Sequence, residues 1–386
     1  MTSEATRPLK FNTTRSIVCE PGAVRQLGEI CAKLSPGKVF LVTDPGILGV
    51  GLHEAALDSL SSAGLACSVF QDVQADPPED IVLNALDLAR NQKTGTVVGL
   101  GGGSSMDVAK LIAALCYSSQ ALSDAYGIGN LTGDRLPLVQ IPTTAGTGSE
   151  VTPISIITTG ATTKAAVVAP QLLPDVALLD PELTVGLPPH VTAATGIDAM
   201  VHAIESFTSA IHKNPYSDML ATQALTLMSA NIETAVHDGG DLAARTAMLF
   251  GSLLAGQAFA NSPVAAVHAL AYPLGGHFHI PHGLSNSLVL PHVLRFNYET
   301  AEDLYGTLSR IVMQGAGEGR ASESLPDYFE ALVDRLKMPS KLRELNVPED
   351  SLPMLASEAM LQQRLLVNNP RKVNEQDALR IYEAAY

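Results

Sequence analysis

The 386-residue chain has no tryptophan, only nine phenylalanines and nine tyrosines, and four cysteines. Without Trp, a recognition surface built on indole anchors is excluded. Cys19, Cys31, Cys67 and Cys116 are scattered, and none has the C-x-x-C spacing of a zinc ribbon or redox dithiol. They are expected to be buried free thiols in a reducing compartment. Charge is sparse, at 16% of residues against 46% hydrophobic, which is the balance of a well-buried globular enzyme. Positive charge is scarcer still. The 24 Lys and Arg face 39 Asp and Glu, a formal charge of −15. This excess speaks against nucleic acid or an anionic membrane as a partner. A small substrate stays open, because a local field can oppose the net charge. No run approaches the ~18 consecutive apolar residues a membrane span requires. The opening MTSEATRPLK lacks the apolar centre of a signal peptide, so a cytoplasmic location is expected.

What is present follows two patterns. A chain of this length exceeds one ordinary core, so two domains are expected. Residues 1–188 alternate short β-rich runs with helical patterns. Strands are predicted at Lys38–Thr43, Ala66–Phe70 and Thr96–Leu100, with helices at Leu52–Ser62, Ile81–Asn91 and Ser104–Cys116. That rhythm predicts an α/β, Rossmann-like doubly wound sheet that binds a dinucleotide. After Leu187-Pro188-Pro189 the strand runs stop, and proline suits a helix's first turn. Helical patterns follow at 190–210, 216–236, 243–260 and 264–275, with more towards Tyr386. Residues 189–386 are therefore expected to form an all-α domain, with ligands in the cleft between the two.

Leu100-Gly101-Gly102-Gly103-Ser104-Ser105-Met106-Asp107 leaves a strand and opens a helix. Its glycines allow a close backbone approach, and Ser104 is placed to cap a helix start that would face a phosphate. The spacing is not G-x-G-x-x-G, and a tight strand-to-helix turn explains it equally well. A second loop, Ile141 to Glu150, packs hydroxyls and glycines and offers N–H and O–H donors to a pyrophosphate. Asp44 ends the first predicted strand. Its carboxylate either accepts from a ribose hydroxyl, which favours NAD over NADP, or caps an ordinary turn.

Asp198 and His202 lie four apart and so share a helix face. Their neighbours, Ala193, Ala194, Ala199, Met200, Val201, Ala203 and Ile204, are apolar, and a buried charge there demands a strong partner such as a cation. His268 and His282 fall in apolar segments of the same half. Each histidine alone reads as a satisfied core residue, but together with Asp198 they read as one site. An N3O ligand set suits Fe(II), Zn(II) or another first-row divalent ion.

With these motifs in order, the chain resembles the iron-dependent (group III) alcohol dehydrogenase family over nearly its whole length. The resemblance rests on Gly101 to Asp107, Pro142 to Glu150, Gly196 to His202, His268, and Gly275-Gly276 followed by Pro281-His282-Gly283. It implies cofactor contacts at Asp44, Gly102, Gly103, Ser104, Thr143, Thr144, Thr147, Ser149 and Lys164, and metal ligands at Asp198, His202, His268 and His282. It also implies a homodimer or larger closed assembly. Two positions depart from the commonest family pattern. Tyr272 stands where many members carry a second histidine near the nicotinamide, and Asp76-Pro77 replaces the usual Asn-Pro.

The expected activity is hydride transfer between NAD(P), with NAD favoured over NADP, and a small alcohol or its aldehyde or ketone, assisted by a Lewis-acid metal. Tyr272, His277 and His279 are the candidate proton carriers, while Tyr272 could instead only pack against the nicotinamide. A tyrosine there also resembles the hydroxyacid–oxoacid transhydrogenase branch, and semialdehyde reduction of a short carboxylated substrate is a related alternative. A lyase of dehydroquinate-synthase type would need several Lys and Arg near the metal, yet 190–206 and 261–294 contain none. A non-catalytic metal-binding protein on the same scaffold is the remaining rival.

Overall fold

The computed structural model describes residues 9–160, 163–317 and 324–386. The chain divides into two compact units. The first, Asn12–Thr144 with Gly148–Val185, is built, among the described residues, on nine strands: β1 (Ser16–Cys19), β2 (Lys38–Val42), β3 (Cys67–Phe70), β4 (Thr94–Gly101), β5 (Gly127–Ile128), β6 (Leu138–Pro142), β7 (Ile154–Thr159), β8 (Thr163–Val168) and β9 (Val176–Leu179). Six form one sheet in the order β1-β9-β6-β4-β2-β3, parallel throughout. Both faces of this sheet are covered, which is why β2 reads as a continuous apolar run rather than an alternating one. Phe40 and Val42 join Val97, Leu111 and Ile112 on one side. Val39 and Leu41 join Val98, Leu100 and Ile141 on the other.

The chain winds from β2 outwards to β3, then returns to place β4 on the other side of β2. The C-terminal ends of parallel strands at such a reversal are where ligands bind in doubly wound sheets. Those ends carry Asp44, the three glycines 101–103, and Thr143. A small second sheet, β5-β8-β7, contains the β7–β8 hairpin, with Ile154 opposite Val168 and Thr159 opposite Thr163. Its short, hydroxyl-rich strands do not stand out in the sequence.

The second unit comprises Gly186–Tyr386 together with Ala145–Thr147 and the stretch up to Phe11. Its principal helices are Pro189–Thr208, Pro215–His237, Leu242–Asn261, Ala266–Phe278 and His282–Ala316. Their starts follow local rules. Pro189 opens the first at its initial turn. Asn214 and Asp241 cap the next two by accepting from Ser217 N–H and Ala244 N–H. The 35-residue His282–Ala316 helix contains Pro291 and a non-helical Ala301. No helix among the described residues is long and apolar enough to cross a membrane. The thiols are more mixed than expected: Cys31 and Cys116 are buried, but Cys19 and Cys67 are only partly so.

Candidate active site

In the α/β unit the glycine loop is built for close approach. Gly101 has φ +147°, and a Cβ there would lie 2.8 Å from Ser105 Oγ and 3.0 Å from Asp44 Oδ2, so no other residue fits. The helix begins at Gly103 with Gly102 as its N-cap and no side-chain cap. This corrects the expectation for Ser104, which sits inside the first turn. A capping side chain would occupy the place where an anion meets the helix N–H groups.

Asp44 lies just past β2 as the cap of a short helix. Its Oδ1 accepts from Gly46 N–H at 2.9 Å and Ile47 N–H at 3.1 Å, and its Oδ2 accepts from Ser105 Oγ at 3.2 Å. The two loops are tied together from beneath. Thr143 N–H donates to Gly101 O at 3.0 Å. Ser149 Oγ donates to Asp107 Oδ1 at 2.6 Å, and Ile156 N–H to Asp107 Oδ2 at 2.8 Å. Lys110 lies wholly buried 3.7 Å from that carboxylate, and burial pulls its pKa down to about 8. Thr144 approaches Gly102, whereas Thr147 belongs to the short stretch that clusters with the helical unit. Lys164 Nζ is 2.6 Å from Asp76 Oδ1 and 3.1 Å from Thr158 Oγ1. The unusual Asp76 thus carries the charge that pairs with Lys164. Its φ of +53° explains why Asn or Asp is accepted there.

In the helical unit Asp198, His202 and Glu205 fall at i, i+4 and i+7 on the Pro189–Thr208 helix, which puts them on one face. All three are buried. His268 enters from the first turn of Ala266–Phe278, and His282 opens the next long helix. Gly283 lets that helix start close in, because a Cβ there would lie 2.3 Å from Ala194 O.

One ligand atom each from Asp198, His268 and His282 lies within 4.8 Å of the others. His268 Nδ1 pairs with Glu205 Oε2 at 2.6 Å. A carboxylate there fixes the proton on Nδ1 and turns the Nε2 lone pair to the centre. Burial pushes the Asp198 carboxyl up, but the three imidazoles and the Asn286 amide outweigh it and hold the group below its usual range.

The donor set fits a cation. Asn286 Nδ2 stands 2.6 Å from Asp198 Oδ1 and 3.3 Å from both His268 Nε2 and His282 Nε2. An amide nitrogen has two hydrogens for these three acceptors. Its own Oδ1 is buried without a partner. Three acceptor atoms thus converge on one point, more than the two hydrogens of the Asn286 amide can serve.

His202, expected as a fourth ligand, stands beside this group rather than within it. Its ring stacks on Phe259 at 4.2 Å and His268 at 4.7 Å. Its Nδ1 is 3.2 Å from Gly146 O. That contact leaves the lone pair on Nε2, and burial holds the imidazole neutral by pushing its pKa down to about 3.

The candidate proton carriers separate. Tyr272 is one helical turn beyond His268, with its ring 6.0 Å from that of His282. Burial lifts its phenol above the ordinary value, although the neighbouring Arg364 opposes this. His277 lies nine residues beyond His268. At ~100° per residue it points to the opposite side of the helix, where its Nε2 meets Glu358 Oε2 at 2.6 Å. His279 is exposed and left-handed at the helix end. The structure therefore brings Tyr272 to the convergent group and sets His277 apart from it.

Glu205, Asn286 and Arg364 are missing from the sequence reading. The first two had a signal, since Glu205 continues the 198/202 stripe and Asn286 lies one turn after His282. Arg364 comes from a distant segment that no spacing rule connects to the site.

Residues 14–181 match the model of the iron-containing alcohol dehydrogenases, and residues 192–386 match the C-terminal model of the same family. The chain belongs to the iron-containing alcohol dehydrogenase family. It is accordingly an oxidoreductase that works with a nicotinamide cofactor. Among members of this family, it is 41% identical to the long-chain-alcohol dehydrogenase 1 of Geobacillus thermodenitrificans, over 95% of this chain and 93% of that one. It superimposes on a crystal structure of 1,3-propanediol oxidoreductase with TM-score 0.92 and 35% identity, covering 98% of this chain and 100% of that one. A third member, the sulfoacetaldehyde reductase of Bifidobacterium kashiwanohense solved with NAD+, gives TM-score 0.88 and 29% identity, covering 98% and 99% respectively.

Proposed function

We propose that this enzyme interconverts a small alcohol and its aldehyde with NAD, using a divalent first-row metal, iron(II) or zinc(II), held by Asp198, His268 and His282 with His202 completing the set. The convergence of three lone-pair donors on one point, two of them buried and His282 open to solvent, carries the reading. We place the enzyme in the cytoplasm as a homodimer or larger assembly, with no nucleic acid or membrane partner. When bound, the metal supplies Lewis acidity towards the substrate oxygen, and the nicotinamide carries the hydride.

The chain's own residues do the rest. Gly102, Gly103 and Ser104 present helix N–H groups to the pyrophosphate, and Thr143, Thr144, Thr147 and Ser149 line the second loop. Lys164, already paired with Asp76, is the remaining cofactor contact. Glu205 orients His268. Tyr272 donates a hydrogen bond to the substrate oxygen and holds it in place. The metal-loaded protein should oxidise NADH with a panel of C3–C4 aldehydes, and absence of turnover with every member would overturn the activity.

Two variants test the smaller roles. Asp44 accepts from the adenosine ribose with a remaining lone pair of its carboxylate, and a charge-assisted hydrogen bond contributes about 1.5–3 kcal/mol. Wild type should therefore prefer NAD over NADP, and Asp44→Gly should lower that preference ~10-fold or more. The lost helix cap costs only a few tenths of a kcal/mol. Equal kcat/KM for both cofactors in the wild type would refute this role.

For the proton, Tyr272→Phe should reduce kcat ~10-fold, while His277→Ala should reduce it by at most ~3-fold, since a positioned acid–base group contributes 10²-fold or more. Profiles of kcat against pH for both variants decide the matter. A crippled His277→Ala enzyme would return the relay to that imidazole.

A further inference from the structure

The second glycine- and hydroxyl-rich loop, residues 143–149, is held at several places. Within the α/β unit, Thr143 N–H donates to Gly101 O at 3.0 Å and Ser149 Oγ donates to Asp107 Oδ1 at 2.6 Å. The middle of the loop, Ala145–Thr147, clusters instead with the helical unit, where Gly146 lies against the Pro189–Thr208 helix.

Two observations fix Gly146 on that helix. A Cβ at Gly146 would lie 2.8 Å from Thr195 Cβ and 3.1 Å from Thr195 O, so only a glycine brings the loop backbone this close. Thr195 turns its hydroxyl back onto its own helix, to Val191 O at 2.9 Å. Two helical turns further on, His202 Nδ1 meets Gly146 O at 3.2 Å. Both residues are buried.

A carbonyl oxygen only accepts, so this contact places the proton of the neutral imidazole on Nδ1. The ring plane is fixed by near-parallel stacking on Phe259 at 4.2 Å and on His268 at 4.7 Å. A cation at the neighbouring group would use Nε2 alone. The two nitrogens of His202 are therefore open to two separate tasks.

We propose that His202 is a positioning residue for the cofactor as well as a metal ligand: its Nδ1–H anchors Gly146 and so holds Thr144, Thr147 and Ser149 in the arrangement that receives the pyrophosphate. This rests on the reading of residues 143–149 as a cofactor loop. A loop anchored before the cofactor arrives gives up less freedom on binding it. Without its donor, the buried Gly146 carbonyl is left unsatisfied wherever the loop keeps it buried.

Two substitutions in the full-length chain separate the nitrogens. His202→Asn puts an amide N–H near the place of Nδ1 and leaves nothing at Nε2. His202→Gln reaches the place of Nε2 and removes the donor to Gly146. NADH titration by fluorescence, with and without excess chelator, should give a Kd ~5–10-fold higher in His202→Gln, as loss of one buried hydrogen bond predicts. In His202→Asn it should stay within ~2-fold of wild type, while zinc affinity falls at least ~10-fold, since losing a ligand costs no less than losing a ligand's outer partner. Hydrogen exchange in peptides covering 143–149 should quicken in His202→Gln and not in His202→Asn. Circular dichroism checks that both variants are folded. A wild-type NADH Kd and wild-type exchange in His202→Gln overturn the anchor. An equal rise in both variants overturns it too, because the ring would then act only by packing. If wild type binds no NADH, the cofactor reading of the loop fails, while the exchange data still decide whether Nδ1 holds Gly146.

Discussion

His268→Ala should purify with little metal and lose at least ~10³-fold in kcat/KM, because a Lewis-acid metal supplies several kcal/mol of transition-state stabilisation. The size of the effect follows from where His268 stands. It is one of three converging ligands, its far nitrogen is engaged by Glu205, and its ring stacks on that of His202 at 4.7 Å and meets that of His282 at 5.3 Å. Removing it leaves three of the four proposed ligands and leaves the buried carboxylates of Glu205 and Asp198 with under-compensated negative charge. Metal content by mass spectrometry should fall in parallel with activity. A variant that keeps full metal and full activity would remove His268 from the ligand set. Added metal at millimolar concentration should restore activity only in part, since the missing imidazole is not replaced.

The second large effect comes from a residue that touches no proposed substrate. Glu205→Ala should weaken metal binding ~10–100-fold, the usual cost of losing a partner that orients a ligating imidazole. Glu205 accepts from Val267 N–H and pairs with His268 Nδ1, both at 2.6 Å. Its loss strips both of a partner in a buried place, and an unsatisfied buried donor costs about 1–3 kcal/mol. The variant should therefore also unfold at a lower temperature. Glu205→Gln separates the two effects. Its amide oxygen can still accept one hydrogen bond, so most of the stability should return while metal affinity stays low. Competition against a chelator of known affinity gives the metal term, and circular dichroism gives the fold. Wild-type metal affinity in a folded Glu205→Ala protein would make the carboxylate merely structural.

How far the sequence leads depends on how local the information is. The β2 run and the Ile81–Asn91 pattern announce themselves because each element's burial repeats within a few residues. Asp198 and His202 are legible because a helix converts a four-residue spacing into a shared face. The place of Ser104 was misread because the usual preference for a hydroxyl cap yields here to a glycine that keeps the helix start open. His277 looked equivalent to Tyr272 on sequence distance alone. Helical phase separates them, and Glu358, from a segment 81 residues away, takes the imidazole. Arg364 was invisible for the same reason, since its meeting with Tyr272 depends on how distant helices pack.

The sheet order also sets a timetable for synthesis. β1 pairs with β9, Ser16 against Val176 and Cys19 against Leu179. Thr14 Oγ1 donates to Glu150 O, and Gly22 N–H and Val24 N–H both donate to the Asp180 carboxylate. Among the described residues, the first strand of this sheet in chain order thus has no neighbour until the last one follows it. At ~5–20 residues per second the wait is on the order of ten to thirty seconds. During that interval the partly made β4-β2-β3 ribbon keeps its β4 edge open where β6 will dock, and the stretch 14–24 remains an unpaired tether. Chaperone capture of nascent chains should therefore concentrate before residue 180 is released and fall sharply after it.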